Sequence, residues 1–288
     1  MPQQGRHSSA GKARGLGPPA TPARRPAARR ARIFVALGMA ALLLSSTSGK
    51  AWAGPKTAAE AIDQAKEYAA CMDLARADPE KALKKAQDWR KRDGKLAARH
   101  CMAVALISQQ RFIQAAGMLE QLAQEAGGEL AALKGDLLGQ AGQAWLMAGE
   151  GARAIAAFTA ALDKAPNDIE LLIDRAIAYA SEARYWQAID DLNRATEITP
   201  DRADAYLFRA SFYRSLDSLE LAAEDVNRSL AIQPENADAL LERGIISRLA
   251  GDDEGARRDW LMVLESAPDS PAAKDARRNL DRLHRKPE

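Results

Sequence analysis

The chain is 288 residues long, with 41 Lys and Arg against 39 Asp and Glu and a formal charge of +2. Residues 1–53 hold nine of the 41 basic residues and no acidic one, so without them 32 basic face 39 acidic residues, a net charge of −7. A body of that charge argues against nucleic acid as a partner, because such binding rests on phosphate neutralisation by a basic patch.

The first element reads as an address. Residues 1–32 are rich in Arg, Pro, Ala and Gly, residues 33–46 form an apolar run, and Ala51-Trp52-Ala53 gives an A-x-A site. A basic stretch, a short apolar stretch and small residues in that order predict a secretory signal peptide, cut after Ala53. The apolar run falls short of the roughly 20 residues that a comfortable membrane span needs. The expected location is therefore outside the cytoplasm, in a bacterial periplasm, with no membrane span after cleavage. The alternative is an uncleaved N-terminal anchor.

Residues 57–128 read as two divergent helical hairpins. Asp78-Pro79-Glu80 marks a helix start, with Ala82 and Trp89 on its apolar side. A break falls at residues 91–95, and a second hairpin is predicted over 96–109 and 111–126. Cys71 and Cys101, the two cysteines of the chain, fall in the first helices of these hairpins. An even count in an exported protein predicts a disulfide between them, with two buried thiols as the alternative.

From residue 135 to 270 the sequence keeps a fixed beat. Pro166, Pro200, Pro234 and Pro268 stand 34 residues apart. Twelve residues before each is Ala154, Ala188, Ala222 or Ala256, and eight before is Phe158, Leu192, Val226 or Trp260. Twenty-four before come the small residues Gly142, Ala176, Ala210 and Gly244. Such a period marks stacked copies of one supersecondary unit. A small residue opposite a large one lets two helices approach, and a proline stops the second helix of each unit. The polar residues after the prolines, Asn167, Asp201, Glu235 and Asp269, suit the turn into the next helix. Residues 271–284 read as a charged helix that caps the array.

A charged set keeps the same beat. Arg175, Arg209 and Arg243 alternate with Asp191, Asp225 and Asp259. The expectation is a ladder of partly buried ion pairs between units, Asp191 reaching Arg209 and Asp225 reaching Arg243. The competing reading is a row of anion-binding arginines.

The pattern Leu138…Ala141-Gly142…Trp145…Ala154…Phe158…Pro166 resembles the tetratricopeptide repeat signature. It recurs with Tyr179 and Tyr213 in place of Trp145, and with Ser247 in the last copy. The resemblance implies an all-α, right-handed solenoid with a concave groove, which binds a protein or peptide and is not an enzyme. It implies that Ile173, Ile177, Leu207, Ser211, Arg214, Leu241, Ile245 and Arg248 face the groove, with Glu170, Asp204 and Asp238 along its rim. Arg214 and Arg248 would then hold a carboxylate of the partner. The Lys/Asn clamp with which some members of that family grip chaperone C-termini has no counterpart in these stretches. No metal or cofactor motif is present in the sequence, and His100 beside Cys101 lacks the second Cys/His pair that zinc requires. The function expected is an interaction scaffold, with an accessory subunit of an envelope-assembly or secretion complex as the alternative.

Overall fold

A computed structural model of the chain describes residues 58–92, 94–127 and 131–284; the leader and its A-x-A site lie outside them. Thirteen helices follow one another, with no strand among the described residues. The first four are α1 (Ala58–Ala77), α2 (Pro79–Arg92), α3 (Lys95–Ser108) and α4 (Phe112–Glu125). Then come α5 (Leu133–Met147), α6 (Gly151–Leu162), α7 (Ile169–Ser181), α8 (Tyr185–Ile198), α9 (Ala203–Ser215) and α10 (Leu219–Ile232). The last are α11 (Ala237–Leu249), α12 (Asp253–Ser266) and α13 (Pro271–His284). From α2 onward each helix packs chiefly on its neighbours in sequence, which is the arrangement of a solenoid, while α1 packs on both α2 and α3.

The close approach inside each hairpin follows from paired volumes. Gly142 meets Phe158 and Gly244 meets Trp260, while the smaller Leu192 and Val226 face Ala176 and Ala210 at the same register. The four large residues and both alanines are buried at 0–1 % exposure. A Cβ on Gly142 would stand 2.7 Å from the Phe158 ring, and one on Gly244 would stand 2.4 Å from Trp260. The glycines therefore sit where the partner ring is largest.

The hairpin turns repeat one geometry. Gln110, Gly149, Ala183, Asp217 and Gly251 all have positive φ, between 56° and 87°. The amide after each bonds back five residues, as Arg184 N–H to Tyr179 O and Ser218 N–H to Tyr213 O, both at 2.9 Å. This is the Schellman closure of a helix end, for which glycine is the favoured residue. Two of the four regular turns lack glycine. Ala183 carries the left-handed conformation with a Cβ and no side-chain hydrogen bond to offset it. Ala183→Gly is expected to raise stability by roughly 0.5–1 kcal/mol, read from urea unfolding; a lower midpoint would contradict this account of the turn.

Helix starts differ from expectation by one residue. Asp168, Asn236 and Ser270, two residues after their prolines, accept hydrogen bonds from the amides of Leu171, Ala239 and Ala273. The residue directly after each proline does not cap. It still belongs to the turn, because the helix begins three residues past the proline. Asp78 caps α2 through the amide of Lys81, as its position before Pro79 predicts.

Cys71 of α1 and Cys101 of α3 form a disulfide, with Cα atoms 6.1 Å apart and both residues fully buried.

Candidate functional site

The Arg–Asp set pairs inside each hairpin. Arg175 holds Asp191, Arg209 holds Asp225 and Arg243 holds Asp259, each through Nε and Nη2 at 2.6–2.8 Å. This corrects the expected pairing of Asp191 with Arg209 and of Asp225 with Arg243. The two helices of a hairpin are antiparallel and in closest contact, so residues equidistant from the turn meet. Arg209 and Asp225 lie eight residues either side of Asp217. The guanidinium still spans the junction between units through its remaining donor. Nη1 of Arg175 donates to Thr159 Oγ1, that of Arg209 to Asn193 Oδ1, and that of Arg243 to Asn227 Oδ1, at 3.1, 2.8 and 3.4 Å. Thr159, Asn193 and Asn227 are themselves 34 residues apart. The arginines are consequently structural forks and not open anion receptors.

The first helices, α1, α3, α5, α7, α9 and α11, are joined to one another by a second series of polar links. Tyr68, His100 and Gln140 form a chain across α1, α3 and α5, with contacts of 2.7 and 2.8 Å. Gln140 Oε1 can only accept, so His100 Nε2 carries the proton and Nδ1 accepts from the Tyr68 hydroxyl. Burial pushes the His100 pKa down and the Tyr68 pKa up, which keeps both groups neutral. Gln143 donates to Asp174 at 2.8 Å between α5 and α7. Arg202 bridges Glu170 and Asp204, and Arg214 of α9 holds Glu242 of α11 at 2.6 Å.

The residues expected in the groove divide into three groups. Ile173 is 4 % exposed and packs with Leu162, Leu172 and Leu192, so it is core and not groove wall. Ile177, Leu207, Ser211, Leu241 and Ile245 are half-buried, the apolar four packing against the cores with part of their surface open. Arg214 is engaged by Glu242, a carboxylate of the chain itself, which corrects its expected role as a partner's receptor. Arg248 is exposed and forms no ion pair among the described residues.

Sequence reasoning missed Asp174, Phe208 and Glu242. The beat contained the signal, since Gln140, Asp174, Phe208 and Glu242 stand 34 residues apart at one register. Asp174 is half-buried on α7. Its pKa is raised by burial first and then by repulsion from Glu170 and Asp168, against the lowering bond from Gln143. Burial and Asp168 also raise the pKa of Asp136.

No family model and no curated protein matches the chain. Solved structures do. The PilF protein of Pseudomonas aeruginosa is 13% identical, with a TM-score of 0.56 over 75% of this chain and 99% of that one. MamA from Desulfovibrio magneticus RS-1 is 18% identical, with a TM-score of 0.52 over 60% of this chain and 97% of that one. A MamA RS-1 double mutant is 19% identical, with a TM-score of 0.53 over 65% and 97%. These neighbours are tetratricopeptide repeat proteins, and at such identities the likeness concerns the fold alone. The fold of this chain is an all-α solenoid of the tetratricopeptide type.

Proposed function

We propose that the chain is an exported, non-enzymatic interaction scaffold that docks a segment of a partner protein along its first-helix face. The observation that carries this reading is that the face is uncovered. From α5 to α11 each first helix packs on the second helices beside it and only thinly on the next first helix, and no described element crosses over that row. Half-buried Ile177, Phe208, Ser211, Leu241 and Ile245, with exposed Arg248, form a mixed surface of the kind that seats side chains of an extended or helical peptide. Export is supported by the order of basic, apolar and small residues in the leader and by a buried disulfide, which favours an oxidising compartment.

The test is affinity capture from the exported fraction with the wild-type chain and with Ile177→Asp/Arg248→Glu. At least one captured protein is expected to fall by about tenfold in recovery, a change of about 1.4 kcal/mol in binding, while the helical signal and melting curve of the variant persist. Equal recovery of every captured protein would remove this face from the mechanism.

A further inference from the structure

The hairpin turns carry a row of apolar side chains that the fold does not use. Eight large apolar residues lie exposed among the described residues, and five of them stand one to a turn. Ile113 is three residues past Gln110, Met147 two before Gly149, Trp186 three past Ala183, Leu221 four past Asp217 and Leu249 two before Gly251. Each is 45–60 % exposed. Packing does not require them. The register of Met147 and Leu249 holds Ser108, Ser181 and Ser215 in the other units, and that of Ile113 and Trp186 holds Ala152, Glu220 and Glu254.

The five turns share one edge of the solenoid, because residues that join successive units stand at matched distances from their turns. Gln140, nine before Gly149, meets His100, ten before Gln110, at 2.8 Å. Arg175 lies eight before its turn and meets Thr159, ten past the preceding one; Arg209 with Asn193 and Arg243 with Asn227 repeat the same offsets. Charge changes sign along this edge. Within four residues of its turn the α3–α4 hairpin has Arg111 alone, which bonds Gln109 and Gln114 and no carboxylate among the described residues. The next two hairpins are balanced, Glu150 with Arg153 and Glu182 with Arg184. In the α9–α10 hairpin Asp217 and Glu220 outweigh Arg214, which Glu242 already holds. In the α11–α12 hairpin Asp252, Asp253 and Glu254 outweigh Arg248. Trp186 stands at the middle of the row, with two of the apolar side chains on either side.

We propose that this edge is the interface of a symmetric dimer, a second copy of the chain running antiparallel along it with the two Trp186 side chains near the two-fold axis. The pairing sets Met147 and Arg153 opposite Leu221 and Glu220 of the second copy, and Ile113 and Arg111 opposite its Leu249 and Asp253. Charge complementarity decides the occupant. An edge with apolar side chains in both halves and opposite charge at its two ends is complementary to itself when reversed, which is what an isologous contact requires. A parallel copy would set the acidic α11–α12 turns against each other, and an anionic membrane would attract only the Arg111 end. Tryptophan at the centre of a contact has the chemistry of an interface anchor. Arg153 is available to it, because its contact with Glu150 is 3.9 Å long between exposed groups and so worth little. The edge shares no residue with the Ile177, Phe208 and Ile245 surface, so each can be tested without the other.

The test is sedimentation equilibrium of the full chain at micromolar concentrations, where a monomer–dimer equilibrium is expected. Trp186→Asp is expected to raise the dimer dissociation constant by at least about thirtyfold, with the helical signal and melting curve unchanged. Leu261→Asp, at an exposed position ten residues past the last turn, is expected to leave it unchanged. Charge swaps read the orientation. Arg153→Glu alone sets carboxylates opposite each other, Glu220→Arg alone sets cations opposite each other, and each is expected to weaken the dimer by about tenfold. An equimolar mixture of these two single variants restores opposite charges at both contacts and is expected to recover the wild-type affinity. Within one chain the α7–α8 hairpin stands between the two positions, so only a second copy brings them together. A chain that stays monomeric, a dimer indifferent to Trp186→Asp, an equal loss in Leu261→Asp, or a mixture no tighter than its components would overturn the proposal. A monomeric chain that loses a captured foreign protein in Trp186→Asp would assign the edge to that protein and overturn it as well.

Discussion

Asp225→Ala is expected to cost about 3–5 kcal/mol of stability. The carboxylate is 8 % exposed and accepts two hydrogen bonds, at 2.7 and 2.6 Å, from an Arg209 side chain that is 15 % exposed. Removing it does not free the guanidinium. Nη1 stays held by Asn193 Oδ1 at 2.8 Å and Thr196 Oγ1 at 3.1 Å, both on the preceding hairpin. A charge would remain largely out of water with its counter-ion gone, and that residue of the pair sets the cost. The double variant Asp225→Ala/Arg209→Met removes both charges and is expected to be more stable than Asp225→Ala alone. Asp190→Ala, an exposed acid on α8, serves as a control and is expected to stay within about 0.5 kcal/mol of wild type. The arginine also ties one unit to the next, so the single variant is expected to broaden the urea transition and lower its slope, because stability in a linear array depends on nearest-neighbour contacts. A loss below about 1 kcal/mol would mean that the pair behaves as an exposed one.

The repeat made much of this fold legible before any coordinates. The small-to-large pairing of Gly142 with Phe158 and Gly244 with Trp260 follows from spacing alone, because residues that keep one register on two antiparallel helices must meet. The same rule would have assigned Arg209 to Asp225, had the turn been placed at Asp217. Asp217 and Ala183 hid the turn, since glycine marks it only at Gly149 and Gly251. Side-chain links between successive first helices were harder to read. Arg214 and Glu242 are 28 residues apart, and Gln143 and Asp174 are 31 apart. Whether such side chains touch depends on how closely two first helices approach, which the period does not encode. The groove reading looked along the first helices, and it counted Ile173 as wall and Arg214 as a free cation, where the structure has one in the core and the other held by Glu242.

Replacing both cysteines, as Cys71→Ala/Cys101→Ala, is expected to lower stability by roughly 3–4 kcal/mol, with the effect concentrated at the N-terminal end. The bond joins residues 30 apart in sequence and so removes much of the freedom of the unfolded segment between them. It acts where packing has least else to rely on. Helix α1 has no described hairpin before it, and α2 contributes only Ala82, Ala86 and Trp89 as buried residues among many charges. Hydrogen exchange is the discriminating measurement. Amides of α1 and α2 are expected to lose protection in the variant, while those of α6 to α12 keep theirs, as nearest-neighbour stability in a solenoid requires. Both residues are fully buried in the intact protein, so a reductant reaches the bond only when α1 and α3 part. Its rate of action then reports that opening and is expected to rise steeply with temperature before the regular units melt. The Tyr68–His100 bond crosses the same two helices, so the polar chain along the first-helix face is expected to loosen with the disulfide. Uniform loss of protection across all helices would instead show that the N-terminal hairpins unfold only with the whole array.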